Sequence, residues 1–148
     1  IRKEVSAEPE KKHLVIIDYL QLITSSGRFE NRNLEIGAIT RELKLLALEL
    51  DIPIIVLSQL SRGVESRQDK RPIMSDLRDS GNIEQDADVI GFLYRDDYYD
   101  KESEKQNIIE IIISKQRNGP TGTVELYFDK ECGKFMNLTK QVEEVLHR

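Results

Sequence analysis

The run Leu14-Val15-Ile16-Ile17-Asp18-Tyr19-Leu20-Gln21-Leu22-Ile23 constrains the fold more than any other part of the chain. β-Branched residues suit a pleated strand, and an uninterrupted apolar stretch reads as a strand buried in a parallel sheet. The stretch ends in a carboxylate, and a charged group is rarely buried without a partner. Asp18 is therefore expected at the carboxyl end of the strand, where open α/β sheets bind ligands. Many α/β strands end in Asp for turn or capping reasons, so this run alone leaves the function open.

The 148 residues are enough for one modest domain with a real core. A third of them are charged, yet the net charge is -5, which excludes a globally basic nucleic-acid binder and makes any DNA contact local. Cys132 is the sole cysteine, so no internal disulfide is expected and a reducing cytoplasm fits. No apolar run reaches membrane-spanning length and no signal-peptide pattern opens the chain, so no membrane association is expected. The chain starts on Ile1-Arg2-Lys3-Glu4-Val5 without an initiator methionine, and is expected to be a fragment that begins inside a helix.

The remaining patterning alternates in the α/β manner. Residues 24–33 carry loop composition. Ile39, Leu43, Leu46, Ala47 and Leu50 recur at helical spacing, and Asp51 and Pro53 close that helix. Residues 52–58 read as a second buried strand, followed by a long polar segment over 59–86. Residues 89–94, 107–115, 123–128 and 135–138 read as further strands. Short turns join the last three, so these should be antiparallel and extend a sheet whose first part is parallel. Residues 140–148 read as a polar tail on a domain spanning 1–139.

Three constellations carry candidate chemistry. Ser58-Gln59 falls at the end of the second strand, beside the expected place of Asp18. A glutamine there can bond a γ-phosphate or a water and release it when the phosphate leaves; equally, it can satisfy loop backbone. The segment 59–86 is too long for an inert connection, so it is functional or mobile. Its cations Arg62, Arg67, Lys70, Arg71 and Arg78 are balanced by Glu65, Asp69, Asp76 and Asp79, which also fits a solvated loop laced with ion pairs. Within it, Asp79-Ser80-Gly81-Asn82 can present backbone amides to a phosphate, Gly81 permitting close approach. Finally, Lys115 and Arg117 alternate at a strand end ahead of the stiff turn Gly119-Pro120. Arg117 suits a phosphate as a fork and Lys115 as a point charge, though two basic residues at a strand end also serve solubility.

In this order, the five motifs Ile17-Asp18-Tyr19-Leu20-Gln21-Leu22, Leu57-Ser58-Gln59-Leu60-Ser61-Arg62, residues 70–88, Arg95-Asp96-Asp97-Tyr98-Tyr99 and Lys115-Gln116-Arg117-Asn118-Gly119 resemble the C-terminal RecA-like ATPase domain of the DnaB-type replicative helicases. The resemblance runs from about residue 13 to 138. It implies an α/β RecA-like core with parallel strands extended by antiparallel ones, ATP and magnesium as ligands, a homohexameric ring on single-stranded DNA, and a primase and a helicase loader as partners. Asp18 then looks like the Walker-B aspartate, holding magnesium through water, and Gln59 like the γ-phosphate sensor. Lys115, Gln116 and Arg117 look like the group that reaches the nucleotide of the adjacent subunit, Arg117 as its finger. Arg78, Asp79 and Gly81 resemble the loop that holds the DNA backbone in the central channel, and residues 24–33 a second channel-facing loop.

The departure from the family is large. No G-x-x-x-x-G-K-[ST] sequence occurs, so the Walker-A cradle is absent. The expectation is a C-terminal part of a motor domain, inactive alone, with activity belonging to the intact hexamer. Two other readings stay open: another RecA-like ATPase, such as a recombinase or helicase-primase, and a non-catalytic fragment acting as a binding module.

Overall fold

The structure, a computed structural model, describes residues 1–80 and 82–138; the side chains of residues 78–80 also lie outside the description. The chain divides into two units, one built from Ile1–Lys70 with Met74–Ala87, the other from Arg71–Ile73 with the chain from Asp88 onward. Among the described residues no helix is long and apolar enough to cross a membrane. The boundary expected at residue 139 and the tail 140–148 lie outside the described residues.

The first unit opens with helix α1 (Arg2–Ala7) and centres on strands β1 (Val15–Ile17) and β2 (Ile54–Val56). They pair in parallel, with Val15 opposite Ile54 and Ile17 opposite Val56. A parallel pair needs a crossover, supplied here by helix α2 (Arg32–Leu50). This helix begins earlier than the apolar spacing from Ile39 suggests, because the side chain of Asn31 accepts the Leu34 N–H at 3.0 Å and caps the first turn. It ends where Asp51 turns left-handed, its N–H returning to the Ala47 carbonyl. Ile36 and Ile39 pack with Leu20 into the core, joined by Ile23, Leu43, Val56 and Ile83. The expectation of fully buried strands is not met: Val15, Ile17, Ile54 and Val56 on the inner face are half-buried. Strand side chains alternate between faces, and the register partners Ile16 and Ile55 are both exposed.

The long segment after β2 is ordered by short helices: 3₁₀ helices at Arg62–Ser66 and Met74–Ser80, then α3 (Ile83–Asp86). Arg67 grips the buried carboxylate of Asp76 with two bonds of 2.7 and 2.8 Å. The Ser61 N–H donates to the Asp76 carbonyl at 2.9 Å. Thr40 on α2 donates to Asp86 on α3 at 2.9 Å.

The second unit is an antiparallel meander of β3 (Val89–Tyr94), β4 (Ile108–Gln116), β5 (Gly122–Asp129) and β6 (Lys134–Asn137), in that spatial order. Strand β3 alternates strictly, burying Ile90, Phe92 and Tyr94. Parallel and antiparallel pairings are thus both present, as expected, and they form two hydrogen-bonded sheets instead of one continuous ladder.

Two buried carboxylates hold this unit together. Glu110 on β4 is bracketed by Arg71, with bonds of 2.8 and 2.9 Å, and by Lys105 at 2.9 Å. The Arg71 hydrogen bonds, working against burial and helped by Lys105, hold its pKa at about 2. The Arg71 guanidinium also lies 4.6 Å from the centre of the Tyr94 ring. Asp97, in the short helix α4 (Asp96–Tyr99), is fully buried between Arg95 and Lys130 and accepts the Asn107 N–H at 2.8 Å. Burial pushes its pKa up; Lys130, the Asn107 amide and Arg95 together pull it below the usual carboxylate range.

Candidate functional site

The carboxyl ends of β1 and β2 lie side by side. The Leu57 N–H donates to the Ile17 carbonyl at 2.9 Å, and the Leu20 N–H donates to the Leu57 carbonyl at 2.8 Å. Parallel register therefore brings Asp18 and Ser58-Gln59 to the same end of the sheet. Both Asp18 and Gln59 are exposed, as a ligand-facing pair requires. The Asp18–Tyr19 peptide bond is cis. Among the described residues no cluster of three or more metal-ligating side chains occurs. Asp18 is the residue here that could hold magnesium, an ion that binds through one or two carboxylates, its own waters and substrate phosphates rather than an all-protein cage. One exposed carboxylate at a sheet end fits that mode of binding.

The strand ends are tied to the loop that follows β1. The side chain of Gln21, in a 3₁₀ turn over Leu20–Leu22, donates to Ser58 Oγ at 3.0 Å and accepts the Gln59 N–H at 3.3 Å. Arg32 at the start of α2 donates to the carbonyls of Gln21 and Ile23, both at 2.8 Å, and pairs with Glu35 at 2.5 Å. Glu35 in turn accepts the Ser25 N–H at 2.8 Å. That amide first, and Arg32 after it, lower the Glu35 pKa.

In the other unit, Lys115 and Gln116 close strand β4, and Arg117 stands one residue beyond it. The register steps between Ile90 and Gly91, whose partners are Lys115 and Ile113. Ser114 is left over as a β-bulge, a device that re-aims the side chains after it. The Arg117 N–H donates to the Asp88 carbonyl at 2.9 Å, and its guanidinium lies 3.3 Å from the Asp88 carboxylate. Arg117 is exposed and Lys115 half-buried. A Cβ on Gly119 would fall 2.5 Å from the Gln116 amide nitrogen, so the turn closes tightly over that side chain.

The sequence-derived DNA group is reached only in part. Arg78 and Asp79 stand in the 3₁₀ helix Met74–Ser80, their side chains outside the described residues, and Gly81 lies outside them altogether. Of the five loop cations, Arg67 and Arg71 are committed to the carboxylates of Asp76 and Glu110. Sequence reading missed Gln21 as a clamp, Arg32 and Glu35 as supports and Asp88 as the partner of Arg117. The Gln21 position was visible inside its motif, but its partners are 37 and 38 residues away.

A crossover-linked parallel pair with Asp and Gln at its carboxyl ends, followed along the chain by a separate antiparallel sheet with a basic strand end, is the makeup of a RecA-like ATPase fold. The chain belongs to the DnaB-like helicase C terminal domain family, whose family model matches residues 1–137. It is 65% identical over 132 residues to the replicative DNA helicase DnaC of Bacillus subtilis (strain 168), covering 88% of this chain and 29% of that protein. It is equally similar to the replicative DNA helicase DnaB of Geobacillus stearothermophilus, at 65% identity over 88% of this chain and 29% of that protein. Among solved structures it is similar to a DnaB-like replicative helicase whose structure was determined with its interactions with primase, with a TM-score of 0.89 and 58% identity over 93% of this chain and 34% of the other. The chain thus spans under a third of the length of these curated relatives.

Proposed function

We propose that the chain is part of the motor domain of a hexameric replicative DNA helicase, coupling ATP hydrolysis to translocation on single-stranded DNA and to duplex unwinding. The observation that carries this reading is the exposed pair Asp18 and Gln59 on adjacent parallel strand ends in a chain of the DnaB-like family. Asp18 holds magnesium through water. The metal, when bound, offsets charge on the phosphates. Gln59 hydrogen-bonds the γ-phosphate or the attacking water, and this bond breaks when that phosphate leaves. Lys115, Gln116 and Arg117 reach the nucleotide of the adjacent subunit, where Arg117 stabilises charge on the transferring phosphoryl group.

Arg78, Asp79 and Gly81 hold the DNA backbone in the ring's channel, and residues 24–31, the part of the expected loop 24–33 that precedes α2, form a second channel-facing loop. Residues 1–139 are the C-terminal part of the motor domain and 140–148 a polar tail. The working protein is cytoplasmic. Its primase partnership is supported by the related helicase described with primase, and its loader partnership by family membership. The Walker-A lysine and loop come from elsewhere in the motor, since these residues contain no such sequence. The test is DNA-stimulated ATPase and strand-displacement activity of the full-length protein. Gln59→Ala should remove both while nucleotide binding persists, and retention of both would overturn the assignment.

A further inference from the structure

We propose that Gln21 is a positioning residue that couples Gln59 to the loop following β1, so that the state of the phosphate site and the grip on single-stranded DNA change together. This rests on the reading of Gln59 as the phosphate sensor and of the loop as channel-facing. One side chain spans the two strand ends: its amide nitrogen donates to Ser58 Oγ at 3.0 Å and its amide oxygen accepts the Gln59 N–H at 3.3 Å. A carboxamide is the neutral group that offers a donor and an acceptor side by side. The Gln59 side chain takes no part in this clamp and stays exposed for a ligand.

The backbone of Gln21 belongs to a second set of bonds. Arg32 holds the Gln21 and Ile23 carbonyls at 2.8 Å each, and through Glu35 reaches the Ser25 N–H inside the loop. Gln59, Gln21, Arg32, Glu35 and Ser25 therefore form one contiguous hydrogen-bonded path within a single unit. A clamp on the Gln59 backbone moves when that residue turns to or from a phosphate. The same turn residue fixes where the loop leaves the sheet. Both groups that must change state are thereby fastened to one residue, Gln21: Gln59 through its side chain and the loop through its backbone carbonyl.

The test measures coupling without turnover. In the full-length ring, affinity for a labelled oligo-dT strand is measured with a non-hydrolysable ATP analogue and with ADP, and the ratio of the two is the readout. Wild type should show a ratio in the range of about 5–150. Gln59→Ala should bring it near unity. Gln21→Met, which keeps length and loses both bonds, should lower it roughly three- to tenfold, and should add nothing in the Gln59→Ala background. Gln21→Glu should retain most of it, because its carboxylate still accepts from the Gln59 N–H and can accept from the Ser58 hydroxyl. An unchanged ratio in Gln59→Ala would overturn the sensor reading. A collapsed ratio there with a wild-type ratio in Gln21→Met would overturn the coupling inference alone. Equal weakening of DNA binding in both nucleotide states by Gln21→Met would also overturn it, reducing Gln21 to a structural role. If Gln21→Met does not assemble, Ser58→Ala decides: a two- to fivefold fall (roughly one hydrogen bond removed) supports the proposal and no change overturns it.

Discussion

The Arg117 guanidinium lies 3.3 Å from the Asp88 carboxylate, with both side chains about half exposed. An exposed pair of this kind contributes at most about 1 kcal/mol and yields readily to a stronger anion. Asp88 thus holds the arginine at the strand end, and on the proposed role of Arg117 the polyphosphate of a neighbouring subunit would displace this carboxylate. In the full-length enzyme, Asp88→Asn should change ATP turnover by less than about tenfold, whereas loss of a finger costs on the order of 10³–10⁵. Steady-state ATPase of the two variants side by side checks this. A loss in Asp88→Asn as deep as in Arg117→Ala would make the ion pair, and not the phosphate, the function of Arg117.

Arg78→Ala in the intact ring should weaken single-stranded DNA binding equally at all sequences, since a phosphate contact carries little base information. The slope of log affinity against log salt should become shallower by roughly 0.7 for each phosphate that is no longer neutralised. Titration at several salt concentrations with oligonucleotides of differing sequence measures both. Unchanged affinity and slope, with hexamers intact, would return Arg78 to a solvated loop.

Glu110 sets an acid limit on the antiparallel unit. Its folded pKa of about 2 lies below the ordinary glutamate value. The folded state therefore binds this proton less readily than the unfolded one, and the stabilisation is complete above the unfolded pKa of about 4.3. It is lost as pH falls from there through about 2. Glu110→Gln should destabilise the protein at pH 7, and the gap from wild type should close progressively below about pH 4.3. Urea unfolding followed from pH 7 to pH 2.5 tests this; a gap that stays constant would remove Glu110 from the acid response.

Local patterning was the legible part of this chain. The apolar run from Val89 to Tyr94 marked β3 to the residue, and the ends of the other antiparallel strands were displaced by one residue each. Asp18 and Gln59 were legible as a pair because each ends an apolar run, and parallel register then brings the ends together. The start of α2 was not, since the spacing was counted from Ile39 although Ile36 lies on the same buried face, and the first turn is set by the Asn31 cap. The Ser114 bulge leaves no trace in the alternation of β4. Long-range partners were the least accessible. Glu110 looked like any charged residue on a strand, and its partner Arg71 lies 39 residues away in a segment whose balanced charges suggested solvent exposure. Such pairings follow from strand register and chain path, which local sequence does not encode.

The central claim, that this chain contributes Asp18 to one ATP site and Arg117 to the site of the adjacent subunit, is tested most directly by mixed rings of the full-length helicase. Arg117→Ala and Asp18→Asn should each nearly abolish ATPase on their own. Rings close through head-to-tail interfaces, so co-expressing the two variants creates some sites that pair an intact Asp18 with an intact Arg117 from the neighbour. The measurement is DNA-stimulated ATP turnover of the mixed rings against either pure variant. Partial recovery is predicted if Arg117 acts on the adjacent subunit's nucleotide. No recovery in rings shown to contain both variants, or near wild-type turnover by Arg117→Ala alone, would contradict the account.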